Sequence, residues 1–266
     1  MATHAHRDEV QRLATEGIAP MDRPGVVARF FIAIVQCAER LNLRCAKFGN
    51  PSVYDNKLFP WVAGIEQHWK TIRSELDRVL VRRNELPNIQ DITMDARSIT
   101  NDAGWKIFLL MAYGIKSEPN IALCPETWRI VQNIPGLKTA MFSVFQPGKR
   151  LPPHRGPYNG VLRLHLGLLV PQNDGNLGIR IGSERRSWSE GSVLVFDDAY
   201  EHEAWNETDK PRVVLFVDFE KPLRFPANII NRILLRLALL TPYLREGNDN
   251  LRRWERQFHS EKWNSE

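Results

Sequence analysis

Between Gly64 and Arg83 the apolar residues Ile65, Trp69, Ile72, Leu76, Val79 and Leu80 recur at helical spacing with charged residues between them. That periodicity predicts an amphipathic helix packed on a core. Val26 to Leu41 has helix-forming content without a clear stripe, a loop follows at Gly49, Asn50 and Pro51, and residues 84–104 read as a loop with a few strand-like turns. The pattern then changes period. Met141–Gln146, Val161–Val170, Leu177–Ile181, Ser192–Phe196 and Val213–Phe219 are short runs of β-branched and large apolar residues, each bounded by Pro, Gly, Asn or Asp. Such spacing predicts an antiparallel β-sandwich or barrel from about residue 105 to 220. Beyond Pro226 the helical pattern returns, with Ile229, Ile230, Ile233, Leu234, Leu237 and Leu240 apolar and Arg232 and Arg236 on the same segment. The expected organisation is a polar lead-in over 1–24, one domain over 25–225 with a helical first part, and a helical extension over 226–266.

Composition narrows the class. The chain has 266 residues, 43% hydrophobic and 25% charged, which is enough apolar material for one good-sized core and excludes disorder. A net charge of +5 is spread along the chain with no zinc-finger spacing, RNP-like motif or basic run interleaved with aromatics, so no nucleic-acid partner is expected. Cys37, Cys45 and Cys124 are odd in number and not in C-x-x-C spacing, and the first residues carry no apolar signal core. Reduced thiols in a cytoplasmic protein follow. Val26 to Val35 is interrupted by Arg29 and too short to span a bilayer. Peripheral membrane contact remains open through the basic, Leu/Ile-rich C-terminal helix Ile229–Leu240, although packing on the barrel is the commoner fate of such a helix.

The chemistry begins in the segment Val161 to Leu168. Leu162, Leu164, Leu166 and Leu168 alternate with Arg163, His165 and Gly167, so an Arg and a His share one face of a strand. On an inner face that pair demands an anion, and a small dicarboxylate suits the forked guanidinium; on an outer face it is merely solvated. His154 lies in Pro152-Pro-His-Arg-Gly-Pro157, expected as a loop stiffened by prolines, and His202 lies in Asp197-Asp-Ala-Tyr-Glu-His-Glu203. Histidines at opposite ends of a β-rich segment are what a barrel brings onto one metal, and imidazole suits iron, zinc and copper alike. Arg212 heads a second alternating strand, on the side of Val214, Phe216 and Asp218.

Phe142-Ser-Val-Phe-Gln-Pro-Gly148, His154-Arg-Gly-Pro-Tyr-Asn159, Arg163-Leu-His-Leu-Gly-Leu168, Trp188-Ser-Glu-Gly191, Phe196-Asp-Asp198, Glu201-His-Glu-Ala-Trp205 and Arg212-Val-Val-Leu-Phe-Val-Asp218 together resemble the aspartyl/asparaginyl β-hydroxylase family. The resemblance is continuous over 138–222 and looser back through Phe59-Pro60, Trp69 and Trp105. It implies a mainly β protein with flanking helices around a double-stranded β-helix (jelly-roll, cupin-like) core. It also implies an iron(II) dioxygenase using 2-oxoglutarate and O₂. His154 and His202 would be the iron ligands; Ser143, Arg163, His165 and Arg212 would hold 2-oxoglutarate, with Trp105 beside it. Gly156, two residues after the first ligand, offers no carboxylate, whereas lipid A acyl-chain hydroxylases carry an acid there. Asp197, Asp198, Glu201 and Glu203 are expected to shape the turn or orient the imidazole. The expected substrate is therefore an aspartyl or asparaginyl residue or a related small acid. A lipid acyl chain (lipid A or ornithine lipid) and a catalytically inactive metal-binding barrel are the alternatives.

Overall fold

Alternation along Val161–Leu169 works as expected because the sheet that contains it is covered on both sides. The computed structural model describes residues 26–93, 95–172, 175–238 and 242–260; the lead-in expected over 1–24 lies outside them. A seven-stranded sheet runs in the order β1 (Val53–Tyr54), β9 (Val193–Phe196), β6 (Val161–Leu169), β11 (Arg212–Glu220), β4 (Leu137–Phe145), β2 (Trp105–Ala112), β3 (Ile115–Lys116). A four-stranded sheet runs β5 (Lys149–His154), β10 (His202–Asn206), β7 (Leu177–Ile181), β8 (Glu184–Arg186). All pairings between these strands are antiparallel. From β4 to β11 the chain passes repeatedly from one sheet to the other, which makes the double-stranded β-helix anticipated from sequence.

The large sheet separates two cores. On its outer face Leu162, Leu164, Leu166 and Leu168 pack with Phe108, Phe142 and Leu215 against α2 (Val62–Gln67) and α3 (Trp69–Leu80). On its inner face Trp105, Phe145, Val214 and Phe216 meet Leu151, Ile179, Ile181 and Ala204 of the small sheet. The site is built on this second, inner surface.

Several local expectations are corrected. The single helix over Gly64–Arg83 is two, α2 and α3, because His68 leaves the helical conformation at φ −97°, ψ 10°. Within 84–104 a short α4 (Ile89–Ile92) forms, and α5 (Glu118–Leu123) and α6 (Pro125–Val131) interrupt the span expected to be all β. His154 does not sit in a loop: it ends β5, an edge strand, where Pro152 and Pro153 remove no ladder bond that the sheet needs. The C-terminal part divides into α7 (Ala227–Leu237), which packs on α1 (Val26–Cys45), and α8 (Pro242–Ser260), which packs on α4 and buries Leu251 and Phe258. No helix among the described residues is long and apolar enough to cross a membrane.

Candidate active site

Strand register assembles the site row by row. β11 lies between β6 and β4, setting Arg212 opposite Phe145, Val214 opposite Ser143 and Gly167, Phe216 opposite His165, and Asp218 opposite Arg163. β2 adds Trp105 opposite Phe145. Every residue singled out for the 2-oxoglutarate site thus comes to one neighbourhood. The Trp105 indole N–H donates to Ser143 Oγ at 3.0 Å, both groups being buried.

The two histidines expected to bind metal meet on the small sheet. β10 pairs with β5 so that His202 stands opposite His154, with ring centroids 4.2 Å apart. The Gly156 N–H donates to the Asp198 carbonyl at 2.7 Å and ties the chain after one histidine to the turn before the other. His154 Nδ1 lies 2.8 Å from the Pro152 carbonyl and His202 Nδ1 lies 2.9 Å from the Tyr200 carbonyl. A carbonyl only accepts, so both Nδ1 atoms carry the proton and both Nε2 lone pairs are free. Burial, above all, holds both imidazoles below their ordinary pKa, with Arg163 adding to the effect and His154 adding to it at His202. Two neutral imidazoles with free Nε2 atoms are the donor state a divalent metal requires. Among the described residues no three His, Cys, Asp or Glu side chains converge as a ligand group.

The two arginines differ. Arg163 Nε and Nη2 bond Asp218 at 2.8 and 3.2 Å, Nη2 also meets Asp198 at 2.9 Å, and the guanidinium lies over the Phe216 ring. Arg212 is almost fully buried and has no carboxylate partner among the described residues; its guanidinium is sandwiched between Phe145 and Trp188 at 3.8 and 4.4 Å. Its Nε and Nη1 lack any hydrogen-bond acceptor. Burial pushes it down to about 9, which leaves it charged at neutral pH. Beside it, Trp188 Nε1–H donates to His165 Nδ1 at 3.3 Å, so the His165 proton sits on Nε2, which also has no partner. Three buried donors on two neighbouring side chains therefore lack acceptors. A compact carboxylate supplies such acceptors, and the donor set fits the anion that the sequence reading assigned here.

The acids near His202 are already engaged. Asp197 pairs with Lys221 at 2.6 Å, both buried, and Glu201 and Glu203 clasp Arg180 at 2.9 and 2.6 Å. Asp198 fills the space that a side chain at position 156 would need: a Cβ on Gly156 would lie 2.6 Å from Asp198 Cγ. Burial raises the Asp198 carboxyl to about 7 against the pull of Arg163. Phe145 and Trp188, which flank Arg212, and Asp198 and Asp218, which hold Arg163, were not assigned these roles from sequence. All four lie in the motifs that carry the family resemblance, which marks their positions without giving their partners.

A family model described as aspartyl/asparaginyl beta-hydroxylase matches residues 66–222. A Rhizobium tropici protein named ornithine lipid ester-linked acyl 2-hydroxylase is 58% identical over 251 residues, covering 94% of this chain and 89% of its own length. Human aspartyl/asparaginyl beta-hydroxylase is 32% identical over 166 residues, 60% of this chain but 21% of its own length. A Pseudomonas putida prolyl-4-hydroxylase structure overlaps 60% of this chain and 99% of that chain at TM-score 0.38 and 15% identity, too low to add to what the sheet order shows.

Two outcomes follow from this geometry. Gly156→Ala forces a methyl group onto the Asp198 carboxylate and costs about 1–3 kcal/mol, the usual range for overpacking; in an Asp198→Ala background most of that cost disappears. A urea-unfolding double-mutant cycle without coupling refutes the contact. His165 is held well below its ordinary pKa, chiefly by burial and then by Arg212 and Arg163. Below about pH 6.5 the unfolded chain therefore binds the proton that the folded chain refuses, and stability falls as pH falls, by up to about 1.4 kcal/mol per unit. Unfolding measured from about pH 6.5 to 5 should show a shallower fall in His165→Gln than in the wild type; equal slopes contradict a neutral buried His165.

Proposed function

The chain belongs to the aspartyl/asparaginyl β-hydroxylase family, and from that premise we propose that it is an iron(II)- and 2-oxoglutarate-dependent hydroxylase of a lipid acyl chain. The observation that carries the cofactor reading is the cluster of unpartnered donors on Arg212 and His165 beside a pair of Nε2-free histidines. His154 and His202 hold the iron through Nε2. Arg212 binds the distal carboxylate of 2-oxoglutarate through a charge-assisted fork in a water-poor cleft. Trp188 and Phe145 hold that planar fork in place between their rings. His165 Nε2–H gives a further donor, and Ser143, fixed by Trp105, lines the same wall. Arg163, already held by Asp198 and Asp218, contributes positive potential and positioning more than a free fork. Once bound, iron and 2-oxoglutarate supply the oxidising power for inserting an oxygen atom from O₂ into an unactivated C–H bond, with release of succinate and CO₂.

The substrate reading departs from the sequence expectation. Gly156 leaned towards an aspartyl or asparaginyl substrate, but similarity at 58% across 94% of the chain outweighs 32% across 60%. By the name of the nearer of these two relatives, the bond attacked is at C2 of an ester-linked acyl chain. The glycine has its own explanation in the Asp198 contact, so it no longer speaks for a peptide.

Purified protein given iron(II), 2-oxoglutarate and extracted ornithine lipid should release succinate in step with lipid hydroxylation. Release only with Asp- or Asn-containing peptides refutes the lipid assignment, and release with neither refutes catalysis. His154→Ala and His202→Ala should each lower turnover and bound iron by more than the roughly 10–100-fold that follows loss of a ligand's supporting partner. Unchanged iron content in both variants would falsify the metal assignment.

A further inference from the structure

Eight of the eleven exposed large hydrophobic side chains among the described residues lie on α1, on α7 or at Phe225 just ahead of α7. Phe30 is 69% exposed and Phe225 75%, and Phe31, Ile34, Ile229 and Ile233 join them. The two helices pack on each other, so these exposed residues lie on neighbouring elements. Apolar groups at this density are costly to leave in water and mark an interaction face.

The charges on the same helices choose the occupant. α1 carries Arg29, Arg40 and Arg44, and α7 carries Arg232 and Arg236. Their one acid, Glu39, is buried and paired with Arg155 at 2.9 Å. Arg232 pairs with Glu220, while Arg29, Arg40, Arg44 and Arg236 form no ion pair among the described residues. The exposed charge of the helix pair is therefore wholly positive. A second copy of this face would bring like charge against like charge. A bilayer interface with anionic lipid offers phosphates to the arginines and acyl chains to the aromatic and aliphatic residues, the pairing by which amphipathic helices lie in a membrane surface.

The opposite sides of the two helices grip the segment that leaves His154. Glu39 accepts from Arg155, Asn42 Nδ2 lies 3.0 Å from both the Tyr158 hydroxyl and Asn159 Oδ1, and Asn231 Nδ2 donates to the Gly160 carbonyl at 2.9 Å. The same pair of helices thus presents an apolar, basic face outward and fixes residues 155–160 inward, one residue from the candidate iron ligand. We propose that α1 and α7 form a docking face for an anionic bilayer, which brings the membrane to the wall of the active site; the link to catalysis rests on the acyl-lipid reading above, the docking itself does not. α1 thus joins the membrane contact expected of Ile229–Leu240, whose described part lies on α7, while α8 packs on α4 and buries Leu251 and Phe258.

The test is co-sedimentation of the full chain, without added iron or 2-oxoglutarate, with vesicles of phosphatidylcholine alone or mixed with phosphatidylglycerol. Wild type should bind the mixed vesicles and lose binding in high salt. Phe30→Ser/Phe31→Ser/Ile233→Ser and, separately, Arg29→Glu/Arg236→Glu should each weaken binding by at least about tenfold, since both the apolar and the charged contributions are needed. The three proteins, supplied with iron(II) and 2-oxoglutarate, are then compared in succinate release on detergent-dispersed lipid, where the variants should match the wild type. Absence of vesicle binding by the wild type, or binding as tight as the wild type's in either variant, overturns the docking face whatever the turnover shows. A dimer in sedimentation velocity that dissociates in the Phe30→Ser/Phe31→Ser/Ile233→Ser variant assigns the face to a second copy instead. Vesicle binding with no lipid turnover leaves docking standing and overturns the substrate reading.

Discussion

A buried guanidinium without a carboxylate is a standing electrostatic debt in a folded protein, and Arg212 is that group here. Removing an ion from water is unfavourable by several kcal/mol unless a counter-ion replaces the lost solvation. Phe145 and Trp188 recover part of it through their ring faces, and no side chain among the described residues recovers the rest. The contrast with Arg163 is instructive because the two lie on adjacent strands. Arg163 received two internal acids and became a structural centre, whereas Arg212 has no carboxylate partner among the described residues.

The fold tolerates this because β11 is an interior strand of a sheet buried on both sides. Its register with β4 and β6 holds the Arg212 backbone rigidly between Phe145 and the row leading to His165, while the leucines of β6 supply stability on the other face. Stability and chemistry are thus divided between the two surfaces of one sheet. The small sheet contributes the histidine pair, each ring oriented by a carbonyl two residues earlier in its own chain segment. Asp198 links the two halves: its side chain reaches Arg163 on the large sheet while its carbonyl receives the Gly156 N–H beyond β5.

Much of this was legible in the chain. The strict alternation of β6 and the position of Arg212 at the head of an alternating strand were visible because period-two patterning survives along such strands; the histidines at 154 and 202 stood out by residue type and by the motifs around them. β5 and β10 were not, for a physical reason. β5 carries two prolines that only an edge position tolerates, and β10 alternates polar residues that look like loop until their partners are known. The partners of the arginines depend on cross-strand register, which no local pattern encodes. Gly156 was read as a missing ligand, whereas the structure gives it a steric role against Asp198.

The account stands or falls on whether Arg212 is held for an external anion. The direct measurement is calorimetric unfolding of the wild type and Arg212→Met, each with and without 2-oxoglutarate. Methionine fills the slot between Phe145 and Trp188 and removes the unpartnered charge, so the variant should be at least as stable as the wild type when no ligand is present. Added 2-oxoglutarate should then raise the unfolding temperature of the wild type and leave the variant unchanged. A variant that loses several kcal/mol without ligand, or that is stabilised by 2-oxoglutarate as much as the wild type, contradicts the account.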